Sequence, residues 1–184
     1  MPTRHALKCA LPSWPMNLFE LTVPQLAKTL RNVDRWLKSA EQYAEQRKFP
    51  VDNLIGVRLA PDQYPLVRQV QTICDNAKFI AGRLAAKEWP AHADTETTFE
   101  QLHVRIAAVL TYLETFKAAD LEGSAERKIS LPWMQSKWMT GIEYVTQFAL
   151  PNFYFHTTLC YALLRHNGVP LGKNDFIGGI PMRD

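Results

Sequence analysis

The chain has 184 residues, 47% hydrophobic and 21% charged, with 21 Lys and Arg against 18 Asp and Glu for a net charge of +3. That length supports one substantial core rather than two domains, and the composition is that of an ordinary globular protein. No stretch concentrates the basic residues as a phosphate-tracking surface requires, so nucleic acid is not an expected partner.

No run of apolar residues is long enough for a transmembrane helix, and no membrane partner is expected. Cys9, Cys74 and Cys160 are far apart and form no C-x-x-C pair, which points to a reducing cytoplasm. Cys74 and Cys160 lie in apolar helical context and read as small buried hydrophobes. Residues 1–21 lack a signal-peptide pattern, because Lys8, Pro12 and Pro15 break the apolar run. They read as an irregular leader, within which Met16 is an alternative start.

The first helix is expected from Thr22, an N-cap residue with Pro24 in the first turn, to about Lys48 ahead of Pro50. Leu26, Leu30, Val33, Leu37, Ala40 and Ala44 form its core stripe, opposite a solvated charged face. The second helix starts near Pro65 or Pro61, carries Val67, Val70, Cys74, Ala77, Ala81 and Leu84, and is closed by Pro90. The third is introduced by Thr97-x-x-Glu100 as a capping box and runs along Phe99, Leu102, Ile106, Val109, Leu113 and Phe116.

A long connection follows Ala119, with Ile129 to Trp133 extended, in a small hairpin at most. Trp133, Trp138 and Met139 in it are expected to cap the core, the alternatives being a partner surface or a cleft mouth. The fourth helix opens near Thr140 with Glu143 as its capping partner. Pro151 either kinks it or splits off a short helix, and Gly168 stops it. The following tail, rich in Gly and Pro, is expected to be non-helical.

Four one-sided helices must bury their stripes against each other, so the expected fold is all-α, a four-helix bundle. Residues 22–176 form the bundle and 177–184 a tail. The first two connections are short enough for antiparallel neighbours, and the long one permits a crossing.

Hydrolase, zincin, phosphate-loop and di-iron fingerprints are absent. The informative residues are Asn152 and His156, four apart on a core-facing stripe of the last helix, where unpartnered polar groups are costly. A lone histidine there is ordinarily a satisfied core residue. Gln71 and Asp75 are also four apart on the second helix, and Asp75 is the expected carboxylate partner of His156. Arg58, Asp62 and Tyr64 form a second polar group, with an Arg58–Asp62 tie expected across the Pro-rich turn.

The segments RLAPDQYPL, Cys74-Asp75, PNFYFH and LLRHNGVPLGKNDF resemble a domain-of-unknown-function family within the DinB/YfiT-like metalloenzyme superfamily, from about Leu18 to Phe176. The resemblance implies a four-helix bundle with a long connection before the last helix, and homodimers. Relatives look like metal-dependent hydrolases or thiol transferases, with one histidine on the second helix and an H-x-x-x-H pair on the last. That pair falls on Asn152 and His156, and the second-helix position falls near Gln71, so His156 alone is kept. Amides are poor ligands for zinc or nickel. The expected function is a small-ligand-binding or interaction module with a degenerate metal site and no cofactor. The alternative is a metal-dependent hydrolase or thiol transferase using His156. The cleft-lining candidates are His156, Asn152, Asp75, Gln71, Arg58, Asp62 and Tyr64.

Overall fold

The structure is a computed structural model and describes residues 17–183. Most of the leader, with Cys9 and Met16, lies outside the described residues. Its last residues do not stay irregular: Leu18–Leu21 forms a short helix, α1, capped by the Asn17 side chain, which accepts from the Phe19 amide at 2.9 Å. The cause is burial, since Leu18 packs into the core.

The long helix α2 spans Val23–Arg47, with Pro24 in its first turn and Lys48 in the left-handed conformation that ends it. All six residues of its expected stripe are buried. Thr22 sits at the N-cap position, but its hydroxyl donates back to the Leu18 carbonyl at 2.6 Å instead of capping.

Helix α3 spans Leu66–Ala85, starting at the second of the two candidate prolines. It stops well before Pro90, because Ala86 turns left-handed and Trp89 folds back over Gly82. A Cβ at Gly82 would lie 2.7 Å from the indole, so this close approach requires glycine. Helix α4 spans Phe99–Glu114. Its capping box is Thr98 with Gln101, one residue later than Thr97 with Glu100.

The long connection contains a minimal antiparallel hairpin, β1 (Lys128–Ile129) with β2 (Met139–Thr140). After it α5 (Gly141–Glu143) opens with the expected Thr140–Glu143 capping box. A π-helical turn over Tyr144–Ala149 joins it to α6, Leu150–His166. Pro151 has no N–H to give to the preceding turn, and the wider turn absorbs the defect, with the Leu150 amide reaching Val145. One helical run results. The tail is not wholly irregular: α7 spans Lys173–Ile177.

Around the bundle, α2 and α3 each pack against both α4 and α6. Polar and ring contacts give the directions. Asn76 meets Asn152 and Gln69 meets His156, so α3 and α6 are antiparallel. Arg105 meets Asp75, and Tyr112 lies against Gly82, so α3 and α4 run parallel. Trp36 meets Tyr161 and Gly168 abuts Tyr43, so α2 and α6 are parallel too. The order is up-down-down-up, which corrects the expected antiparallel pairing of the second and third helices.

Residues 86–98 therefore run back along the bundle as an extended strap. At roughly 3.3 Å per residue it reaches up to about 43 Å, enough to retrace a 20-residue helix of about 30 Å. An apparently short loop is long when it is extended.

Candidate functional site

The helical period divides the polar residues of α3 into two groups. Positions 69 and 76, seven apart, face α6, while positions 71, 75 and 78 face α4 and the strap. The seven residues singled out from sequence consequently do not form one site.

On the α6 side, the His156 Nδ1 lies 2.8 Å from the Gln69 Oε1. The Gln69 amide is oriented by its own bond, Nε2 donating to the Tyr64 carbonyl at 3.1 Å. That leaves Oε1 as acceptor, so His156 carries its proton on Nδ1 and keeps a lone pair on Nε2. Burial, and then the nearby Arg68 cation, lower the imidazole pKa and hold the ring neutral. The Tyr64 ring stacks on it at 6.1 Å between centroids and is itself 50% exposed, whereas His156 is 8% exposed. One turn away, Asn152 Nδ2 donates to Asn76 Oδ1 at 3.1 Å.

The expected Asp75–His156 pair is not formed. Asp75 points to the other side of α3 and pairs with Arg105 and Lys78, each at 2.8 Å. Gln71 donates to Glu96 at 2.8 Å, so the amide opposite His156 is Gln69, two residues before the position inferred from the resemblance. Arg58 ties the Pro-rich turn by donating to the Gln63 carbonyl rather than to Asp62, which is exposed.

Sequence reasoning missed the centre of the second group, Arg105. Its side chain is 1% exposed and its guanidinium contacts Asp75 at 2.8 Å, Asp94 at 2.7 Å and Glu96 at 2.9 Å. Arg68 pairs with Asp94, and the buried Lys78 bridges Asp75 and the His92 Nδ1 at 2.8 Å each. Three cations thus meet three carboxylates, and the cluster fastens the strap to α3 and α4. Its charges balance internally, which marks it as a staple. A cation on the α4 core stripe between Leu102 and Val109, shortly after Asp94 and Glu96, was the available signal.

The network sets a pH dependence. Burial alone would raise the Asp94 and Glu96 pKa values, but the hydrogen bonds from Arg68 and Arg105 to Asp94, and from Arg105 and Gln71 to Glu96, bring both below the ordinary carboxylate range. Such stability is full above the unfolded pKa near about 4 and is lost as pH falls through the depressed folded value. His92 is lowered by burial and then by Lys78 and Arg105, so folding disfavours its protonation. The unfolded chain binds that proton from about pH 6.5 downward, and stability drops there first. The thermal midpoint is expected to fall in two stages on acidification, and His92→Asn should remove part of the first. A midpoint that stays level down to about pH 5 would contradict the assignment.

The metal position implied by the resemblance can be tested on its donors. His156 retains an oriented Nε2, but Gln69, Asn76 and Asn152 supply only amides, which zinc takes poorly beside imidazole, thiolate and carboxylate. Among the described residues no group of three or more His, Cys, Asp or Glu is arranged to hold a metal ion. These residues do not fit a metal. The thiols offer no alternative: burial pushes Cys74 up to about 12 and raises Cys160 as well.

His156→Ala removes a neutral hydrogen bond at a site with one edge open beside Tyr64. Denaturant unfolding should show a loss of about 1 to 2 kcal/mol. A loss above about 3 kcal/mol would contradict this and make His156 a structural core residue.

The fold is an up-down-down-up helical bundle that sets His156 of α6 against Gln69 of α3. The chain matches a domain of unknown function, DUF1993, over residues 18–177, and it belongs to that family. The crystal structure of a DinB family member protein from Shewanella denitrificans is similar, with 46% identity and a TM-score of 0.88 over 91% of this chain and 95% of that one. No curated protein matches the chain.

Proposed function

We propose that this chain is a binding or interaction module of the DinB-like class whose metal position has become an amide-lined imidazole. The observation that carries the reading is the Gln69–His156 bond of 2.8 Å, with the Asn76–Asn152 amide pair one turn away and no carboxylate bonded to the imidazole. The free Nε2 lone pair beside the half-exposed Tyr64 suits a small planar ligand that presents an O–H or N–H donor. A second reading, with His156 as metal ligand or general base, draws on that same lone pair, but Asp75 is committed elsewhere.

The compartment in this reading is the cytoplasm, supported by two unpaired thiols in the core, and the assembly is the homodimer implied by the resemblance. Among the described residues no helix is long and apolar enough to cross a membrane. Metal analysis of protein purified without an affinity tag tests the proposal. Only trace metal is expected, and near-stoichiometric zinc or nickel would overturn it in favour of the second reading.

A further inference from the structure

The hairpin before the last helix departs from the expectation that its tryptophans cap the core. Trp133 is 65% exposed and Trp138 49% exposed, while Ile129 and Leu131 of the same segment are buried. The backbone carrying them is anchored: β1 pairs with β2, and the Ser130 hydroxyl donates to the Lys137 carbonyl at 3.0 Å. Exposure here is a property of a fixed structure.

From Arg127 to Thr140 the chain holds three basic residues, Arg127, Lys128 and Lys137, and its acidic neighbours, the exposed Glu126 and the capping Glu143, lie at the base of the hairpin rather than beside the indoles. Both lysines are exposed beside the indoles, and the Lys128 Nζ lies 4.5 Å from the Trp138 ring centroid. Indoles next to lysines are the pairing that anchors proteins at the lipid headgroup level, where the ring sits among the glycerol groups and the ammonium reaches phosphate.

We propose that this hairpin is a docking surface for an anionic phospholipid membrane, on which the protein lies without spanning it. The surface is separate from His156 and does not depend on the reading given above. It revises the expectation of no membrane partner, which rested on the lack of a long apolar run and speaks only to spanning.

The same observations disfavour two other occupants. A symmetric contact with a second copy whose two-fold axis passed through this hairpin would bring Lys128 and Lys137 of the two copies close together. A single-stranded nucleic acid needs open ring faces for stacking, yet Lys128 covers one face of Trp138, and Trp133 packs against Phe148 at 5.8 Å. Insertion at headgroup level needs only the rings' exposed edges.

The test is co-sedimentation of the full chain with phosphatidylcholine vesicles, with and without phosphatidylglycerol, together with tryptophan quenching by brominated lipid. Expected are binding to the anionic vesicles only, loss of binding in high salt, and quenching. Trp133→Ser with Trp138→Ser should abolish binding, and Lys128→Gln with Lys137→Gln should weaken it about tenfold or more. The quenching arm needs no variant and stands if a variant fails to fold. No binding to anionic vesicles, equal binding to neutral ones, binding that survives loss of both indoles, or retention of an oligonucleotide in place of vesicles would each overturn the proposal.

Discussion

Arg105→Met is expected to lower the unfolding free energy by about 3 to 5 kcal/mol, the loss characteristic of breaking a buried charge network. The guanidinium is 1% exposed and touches Asp75, Asp94 and Glu96, so its removal leaves three carboxylates with too little compensating charge. Methionine keeps the stem's volume, so the loss reports the charge rather than a cavity. Two features make the origin visible. The deficit should narrow below about pH 4, where the stranded carboxylates protonate, and hydrogen exchange should quicken first in residues 86–98, which the cluster holds. A loss under about 1 kcal/mol would mean that water already screens the cluster.

A comparable loss, about 3 to 5 kcal/mol, is expected for Trp36→Ala. The indole is among the largest fully buried side chains, and its Nε1 donates to the Asp175 carbonyl at 3.0 Å. Phe176 stacks on it at 5.6 Å, and Tyr161 meets it edge-on at 5.5 Å. The same side chain therefore fills the core of α2 and docks α7. Asn32 adds a second tie, donating to the Phe176 carbonyl at 2.9 Å. The substitution should free residues 173–177 to exchange while α7 remains partly tethered by Asn32. Unfolding that costs under about 1 kcal/mol would show that α7 and the rings repack without the indole.

The helices were legible because each buries one stripe at a 3.6-residue period. Leu26 to Ala44 and Phe99 to Phe116 are buried at every expected position. Helix direction was not legible, because it depends on whether residues 86–98 turn or extend, and no local propensity decides that. The outcome rests on contacts distant in sequence, Arg105 with Asp75 and Lys78 with His92. The short helices α1 and α7 were missed for a related reason, since each exists by docking Leu18 or Phe176 rather than by its own pattern.

The candidate site was half legible. His156 and Asn152 do face α3, but the partner of His156 was misassigned because charge complementarity favoured Asp75. The phase of α3 instead presents Gln69, an amide within the apolar period between Leu66 and Ile73 and almost fully buried. A buried glutamine on a core stripe was the overlooked signal. Asp75 answers to Arg105, whose own place on the α4 stripe is equally anomalous for a cation.

The most direct test of the account is nitrogen-15 NMR of the histidine side chains with and without one equivalent of zinc. The geometry predicts a neutral His156 with its proton on Nδ1, toward Gln69, and an Nε2 resonance that zinc leaves unchanged. A His156 protonated on both nitrogens near neutral pH, or an Nε2 shift characteristic of metal coordination, would contradict it.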